Sequence, residues 1–242
     1  MKLLKTAILL VATQLLQAQT ILPKFPEGQS PYTEGTIQMF QDLQDILVQN
    51  GDNTCAPTQV VWITLKILEN GQPVLIKKQS KEDHYNQNQC AFNAIAKALV
   101  KLKKWQPATL NNKPVQAYFT FPFIPQHFYQ NYTKRYNPST LAVQPSFPGG
   151  DKEFRNQVVK HTTGYISTSS QIPYGVYVFS LEIDENGKVT DIDIEPKVPN
   201  SALFFQELKY GVKKIKTRWE PGYLNGQKTK MTYRFSIDFI EM

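Results

Sequence analysis

Histidine and cysteine are scarce in this chain, with three of the one and two of the other in 242 residues. His84, His127 and His161 lie in separate segments, none with a second donor two to four positions further on. The paired spacings of zinc sites are therefore missing, and neither a metal site nor any other cofactor is legible. A Gly-rich phosphate loop, a nucleophile elbow and a Cys-His arrangement are missing as well. That argues against an enzyme, leaving open only catalysis by residues brought together in three dimensions. Asp184 to Glu195 has acids at the first and twelfth positions of a calcium loop, but the fifth is Lys188 and the sixth Val189, where the loop needs an oxygen ligand and glycine. A large excess of one charge is also lacking. The formal net charge is +7, two units of which come from Lys2 and Lys5, and so mild a surplus argues against nucleic acid as a partner.

Long apolar runs are absent too. The run from Ala7 to Ala12 falls far short of the roughly 20 residues a membrane-spanning helix needs. With Lys2 and Lys5 before it and Leu16-Gln17-Ala18 after it, residues 1–18 read as an export signal cleaved after Ala18. The expected product begins at Gln19 and is soluble in an oxidising compartment. Residues 19–35 form a lead-in rich in proline and glycine, expected to be loosely held.

What is present is periodicity. Tyr177, Phe179, Leu181 and Ile183 alternate with polar or smaller residues, the period of a strand with one face on a core. Asp184-Glu185-Asn186-Gly187-Lys188 supplies a tight hairpin turn, and Val189, Ile192 and Ile194 return the chain. Phe204, Leu208, Val212 and Ile215 make the apolar stripe of a helix, which Trp219-Glu220-Pro221-Gly222 stops. Beyond Asn225-Gly226, Met231, Tyr233, Phe235, Ile237 and Phe239 alternate with Thr232, Arg234, Ser236 and Asp238 as a closing strand. Asp191, Asp193 and Glu195 read as the wet face of the returning strand.

The first half repeats this pattern. Ile37, Phe40, Leu43, Ile46 and Leu47 predict a helix ending at Asn50-Gly51. Val61, Ile63, Leu65 and Ile67 stand where Tyr177, Phe179, Leu181 and Ile183 stand, and Glu69-Asn70-Gly71 matches Glu185-Asn186-Gly187 at the same offset. Phe92, Ile95, Leu99 and Leu102 give the helix stripe, and Trp105-Gln106-Pro107-Ala108 mirrors the Trp-Glu-Pro-Gly stop. Phe119, Phe121 and Phe123 alternate in the closing strand. Phe25-Pro26-Glu27-Gly28 echoes Phe147-Pro148-Gly149-Gly150. The expected fold is α+β, two tandem α-β-β-α-β modules, each a small antiparallel sheet packed by two helices. The first spans 36–124, a linker 125–146, and the second 147–242. Pro114 and Pro122 make the first closing strand the poorer template for pairing.

Phe147-Pro148-Gly149-Gly150 before a helix, the Asp-Glu-Asn-Gly-Lys hairpin, Trp219-Glu220-Pro221-Gly222 and Asn225-Gly226 before a last strand together resemble the C-terminal domain of TonB-family periplasmic proteins, over residues 147–240. The first module resembles it in degenerate form. The resemblance implies a Gram-negative periplasm and a domain that accepts an extended partner segment beside its sheet. It does not extend to a spanning helix or a long proline-rich spacer. Three functions follow: a soluble periplasmic adaptor taking peptide segments of envelope or outer-membrane proteins, a membrane-anchored TonB-type energy transducer for outer-membrane transport, and a structural module that binds the cell wall. Outer-membrane receptors and peptidoglycan are the corresponding partners. The expected binding edge is the closing strand from Lys228 to Phe239, with Lys228, Lys230, Thr232 and Arg234 facing out and Met231, Tyr233 and Phe235 held by the helix. Lys101, Lys103 and Lys104, and again Lys213, Lys214, Lys216 and Arg218, cluster at predicted helix ends, where cations complement exposed carbonyls. A patch for an anionic glycan or lipid surface is the alternative. Cys55 precedes the first strand and Cys90 opens the next helix, at the end of the sheet to which the hairpin returns, so a disulfide is expected. Two separate buried thiols are the other possibility.

Overall fold

A computed structural model of the chain describes residues 20–51, 55–76, 87–130, 132–162, 175–199 and 201–239. The expected leader 1–18 and His84 lie outside the described residues. The fold is α+β, as the patterning implies.

In the N-terminal half, helix α1 (Thr36–Asn50) turns Met39, Phe40, Leu43 and Leu47 inward and stops at Gly51, whose left-handed backbone closes the last turn. Strand β2 (Val61–Ile67) buries every second residue, as its alternation requires. It pairs antiparallel with the short β3 (Pro73–Leu75) on one side and the long β5 (Lys113–Phe123) on the other. The far side of β5 is occupied from Lys113 to Ala117. The lead-in strand β1 (Ile21–Leu22) runs parallel to Gln116 and Ala117, and β4 (Ala108–Leu110) forms a hairpin with the start of β5. Helices α1 and α2 (Gln89–Leu99) close the core over Ile63, Leu65, Phe121 and Phe123. Cys55 and Cys90 are disulfide-bonded.

In the C-terminal half the sheet order is β11-β7-β8, with β7 (Gly175–Ile183) central. Strand β11 (Met231–Phe239) pairs with it along its whole length, from Met231 opposite Ile183 to Phe239 opposite Gly175. Strand β8 (Val189–Glu195) lies on the other side, with a register shift at Glu182/Ile183. Helices α4 (Gly150–Thr162) and α5 (Ala202–Lys214) cover one face over Phe154, Val158, Phe179, Leu181, Phe204 and Leu208. A third small sheet joins β6 (Ala142–Val143), β9 (Gly222–Leu224) and β10 (Gln227–Thr229).

The faces of the two main sheets that carry no helices meet each other. Ile21, Tyr118 and Val178 form a small buried cluster between them. The Glu195 carboxylate takes the Lys66 ammonium at 2.6 Å and the Tyr118 hydroxyl. Arg234 donates to Thr120 Oγ1 at 3.1 Å and lies 4.6 Å from the Tyr118 ring centre. Glu195 is thus not on a wet strand face, although Asp193, paired with Lys197 at 2.6 Å, remains half exposed. The layers run helices, sheet, sheet, helices.

Two further segments depart from expectation. The lead-in is held, with Ile21 buried and Phe25 packed on the first core. The stretch read as a linker folds into α3 (Pro125–Tyr129), a 3-10 turn at Pro138–Leu141 and β6. Its rings Phe128, Tyr132 and Tyr136 pack on one another, tilted or edge-on, and His127 Nδ1 meets the Tyr136 hydroxyl at 2.8 Å. Aromatic packing without a 2.0 or 3.6 period orders this segment, which is why periodicity missed it. Tyr32, rather than Phe25, occupies the position of Phe147. Each ring meets a tryptophan edge-on, Tyr32 on Trp105 at 5.6 Å and Phe147 on Trp219 at 5.2 Å. Each carbonyl accepts from the glycine three residues on, Gly35 or Gly150.

Each hairpin also leans its turn glycine on the tryptophan backbone. A Cβ on Gly71 would lie 3.1 Å from the Trp105 carbonyl oxygen, and one on Gly187 only 1.9 Å from that of Trp219, with φ of +80 and +72. The Gly187 carbonyl in turn accepts from the Trp219 N–H at 3.0 Å. Replacing Gly187 by alanine should cost about 3 kcal/mol or more, since backbone must move. Gly226→Ala, with φ +77 and nothing within 4 Å, should cost about 1 kcal/mol. Urea unfolding of the two variants checks the contrast. The Cys55–Cys90 bridge closes a 35-residue separation, worth about 4 kcal/mol in the chain-entropy picture. Cys55→Ser/Cys90→Ser should lower the unfolding free energy by up to that amount.

Candidate functional site

The seven residues expected at the binding edge separate into three places. Lys228 lies in β10, opposite Tyr223 of β9, not on the closing strand of the main sheet. Lys230 precedes β11. Its N–H donates to the Glu185 carboxylate at 3.1 Å, and its ammonium pairs with Glu182 at 2.6 Å. The other five are on β11. Met231 and Phe235 are buried, Phe235 stacking on Phe179 at 4.9 Å and meeting Phe154 edge-on at 5.0 Å. The Tyr233 ring lies 4.7 Å from Trp219, and its hydroxyl donates to Asp151 of α4. Burial and that carboxylate push the phenol well above its ordinary range. Thr232 and Arg234 point to the opposite face. That face is covered by the N-terminal sheet, so Arg234 does not face solvent; burial draws its guanidinium below the ordinary value, against the pull of Tyr118, Glu195 and Glu182. Its Nε is buried without a hydrogen-bond partner among the described residues.

A strand edge is defined by backbone groups rather than side chains. In an antiparallel pair, a residue's N–H and C=O point to the same side and alternate along the strand. The Ser236 carbonyl accepts from Arg155 of α4, so Thr232, Arg234, Ser236 and Asp238 are the residues whose backbone groups point away from β7. Among the described residues β11 pairs only with β7, and Arg155 stops one carbonyl at the middle of the open side. The other sheet edges are less suited to pairing. Strand β3 has three residues, and β8 carries a bulge and the carboxylates of Asp191 and Asp193, devices that discourage edge association. In the N-terminal half the edge of β5 that lies away from β2 is taken by β4 and β1 from Lys113 to Ala117.

A second concave surface lies beyond the end of α5. A groove of about 490 Å³ has Phe154, Val189, Val212, Ile215 and Trp219 among its lining, with Lys188, Lys213, Lys216 and Arg218. Sequence clustering pointed to three of these cations. Lys188 joins them through the hairpin turn, a contribution only the folded chain reveals.

Among the described residues no group of three or more His, Cys, Asp or Glu side chains is placed to hold a metal ion. His127 is tied to Tyr136, and burial lowers its pKa from the ordinary value. No family model, curated protein or solved structure matches the chain.

The covered face of β11 had a signal in the sequence. Val176-Tyr177-Val178-Phe179 and Ala117-Tyr118-Phe119 are nearly continuous apolar runs, the mark of strands buried on both faces. The open edge of β11 has no comparable signal, because edges are decided by which strands pair.

Proposed function

We propose that this chain is an exported, soluble periplasmic adaptor, a binding protein rather than an enzyme, made of two tandem TonB-C-like modules. The second takes an extended peptide segment of an envelope or outer-membrane protein by strand addition along β11. One observation carries the reading. In the N-terminal half a segment of the chain itself, Ile21–Leu22, lies as an added strand against Gln116 and Ala117 of β5. By the spacing of the repeat, Lys230 and Met231 at the start of β11 are the counterparts of these two residues. Their side of the sheet has no added strand among the described residues.

The reading of two modules rests on the shared order of elements and on matched details. Helix, hairpin, helix and closing strand occur as α1-β2-β3-α2-β5 and as α4-β7-β8-α5-β11. In both halves a segment before the first helix pairs with the tryptophan segment, Pro31 with Gln106 and Ser146 with Glu220. In both, the hairpin glycine abuts the tryptophan carbonyl. The family resemblance of residues 147–240 supplies the binding mode, and the apolar run at Ala7–Ala12 with the disulfide supports export. No helix of the described residues is long and apolar enough to cross a membrane.

Immobilised full-length protein, exposed to detergent-solubilised envelope extract of the source cells, should retain a partner that can be crosslinked to β11. Thr232→Pro removes an outward backbone donor while leaving the ladder to β7, and should weaken that capture about tenfold or more. Arg155→Ala, which releases the Ser236 carbonyl, should strengthen it. Unchanged capture by a folded Thr232→Pro protein, checked by circular dichroism, would rule this edge out.

A further inference from the structure

We infer that the groove beyond α5 is a second, separate binding site, and that its ligand is a short acidic peptide segment carrying an apolar side chain between its carboxylates. Four cations line it and no carboxylate does. Lys188, Lys213, Lys216 and Arg218 are all exposed, and none is in an ion pair among the described residues. Like charges gathered in this way repel each other unless an anion joins them. The helix dipole accounts for only part of the cluster. Lys213 and Lys214 are in the last turn of α5, where the negative end of the helix stabilises them. Lys214 is not in the groove lining; its ammonium lies 4.7 Å from the Tyr210 ring centre. Lys216 and Arg218 are past the helix, and Lys188 comes from the turn between β7 and β8.

The shape and chemistry select among anions. Phe154, Val212 and Trp219 are buried while the cations are exposed, so apolar surface is recessed beneath a charged rim. A flat bilayer surface meets the rim but not the floor, whereas a peptide side chain can enter between the lysines. A compact phosphate calls for convergent backbone N–H groups or a bidentate arginine pair. Here there is one arginine, and the nearby Gly187 and Trp219 N–H groups are already bonded to Asp184 and Gly187 carbonyls. Three lysines and an arginine spread over three segments match single carboxylates spaced along a chain. The volume suits a few residues.

The test uses the full-length protein and a peptide with fluorescein on its N-terminal amine, fluoresceinyl-Glu-Phe-Asp-Leu-Glu-amide, followed by fluorescence anisotropy. Saturable binding is expected, weakened about tenfold or more by Lys216→Glu/Arg218→Glu and separately by Lys188→Glu, and weakened by added salt. Lys152→Glu, an exposed charge change on α4 outside the groove, should leave it unchanged. The uncharged counterpart fluoresceinyl-Gln-Phe-Asn-Leu-Gln-amide should bind at least about tenfold more weakly. Thr232→Pro should have no effect, which separates this site from the β11 edge. Absence of binding, an equal loss in Lys152→Glu, equal affinity for the uncharged peptide, or displacement of the peptide by inorganic phosphate or by phosphatidylglycerol vesicles would overturn the assignment.

Discussion

The rest of the structure depends on the contact between two sheet faces that carry no helices. Each half covers one face of its sheet with two helices and leaves the other bare, and a bare face with Tyr118 or Val178 at its centre is costly in water. Packing the two bare faces together removes that cost. The polar residues on the same faces must then find partners, because an unpaired buried charge costs several kcal/mol, on the order of 3–5. Glu195 does this for both sides, holding Lys66 and Tyr118 from the N-terminal sheet while belonging to the C-terminal one. Arg234, bonded to Thr120 and stacked on Tyr118, is its counterpart on β11. Such a network specifies one orientation of the sheets more than it adds stability.

That orientation limits what β11 can present. With the face of β11 closed, what the strand can still offer a partner is its backbone edge. In the first half the lead-in strand lies on this edge at Gln116 and Ala117, whereas their counterparts Lys230 and Met231 carry no added strand among the described residues, so the two halves, alike in their elements, differ at the start of the closing strand. Arg155 and Glu185 occupy the Ser236 carbonyl and the Lys230 N–H. On the proposed reading they protect the edge from pairing with another copy of the chain and are the side chains that a partner displaces. The groove beyond α5 is separate in place and chemistry: it presents charge and apolar surface rather than a row of backbone groups.

The elements with a clean period were legible in the sequence. Val61 to Ile67, Tyr177 to Ile183 and the closing strands follow the two-residue rule, and the hairpin turns were marked by Asn-Gly pairs. The Cys55–Cys90 bridge followed from the hairpin's return. What escaped was order that rests on contacts between distant segments. The stretch from Pro125 to Val143 is held by rings packed on rings and by pairing of β6 with β9, and neither leaves a period. Residues of the two-residue lead-in strand are too few to show alternation. Arg234 and Glu195 looked like solvent-facing charges because a polar position on an amphipathic strand is ordinarily wet; only the second sheet makes them interior. The match of Tyr32 to Phe147 lies in the spacing of the two halves, whereas Phe25-Pro26-Glu27-Gly28 resembles Phe147-Pro148-Gly149-Gly150 more closely in letters.

The face-to-face packing of the sheets is the claim on which the positions of β11 and its open edge rest. A double-mutant cycle on Lys66→Met and Glu195→Gln, one residue from each half, tests it by urea unfolding. Packing through this pair predicts a coupling energy of about 1 kcal/mol or more. Effects that add to within about 0.3 kcal/mol would mean that the two side chains do not meet, and would contradict the arrangement.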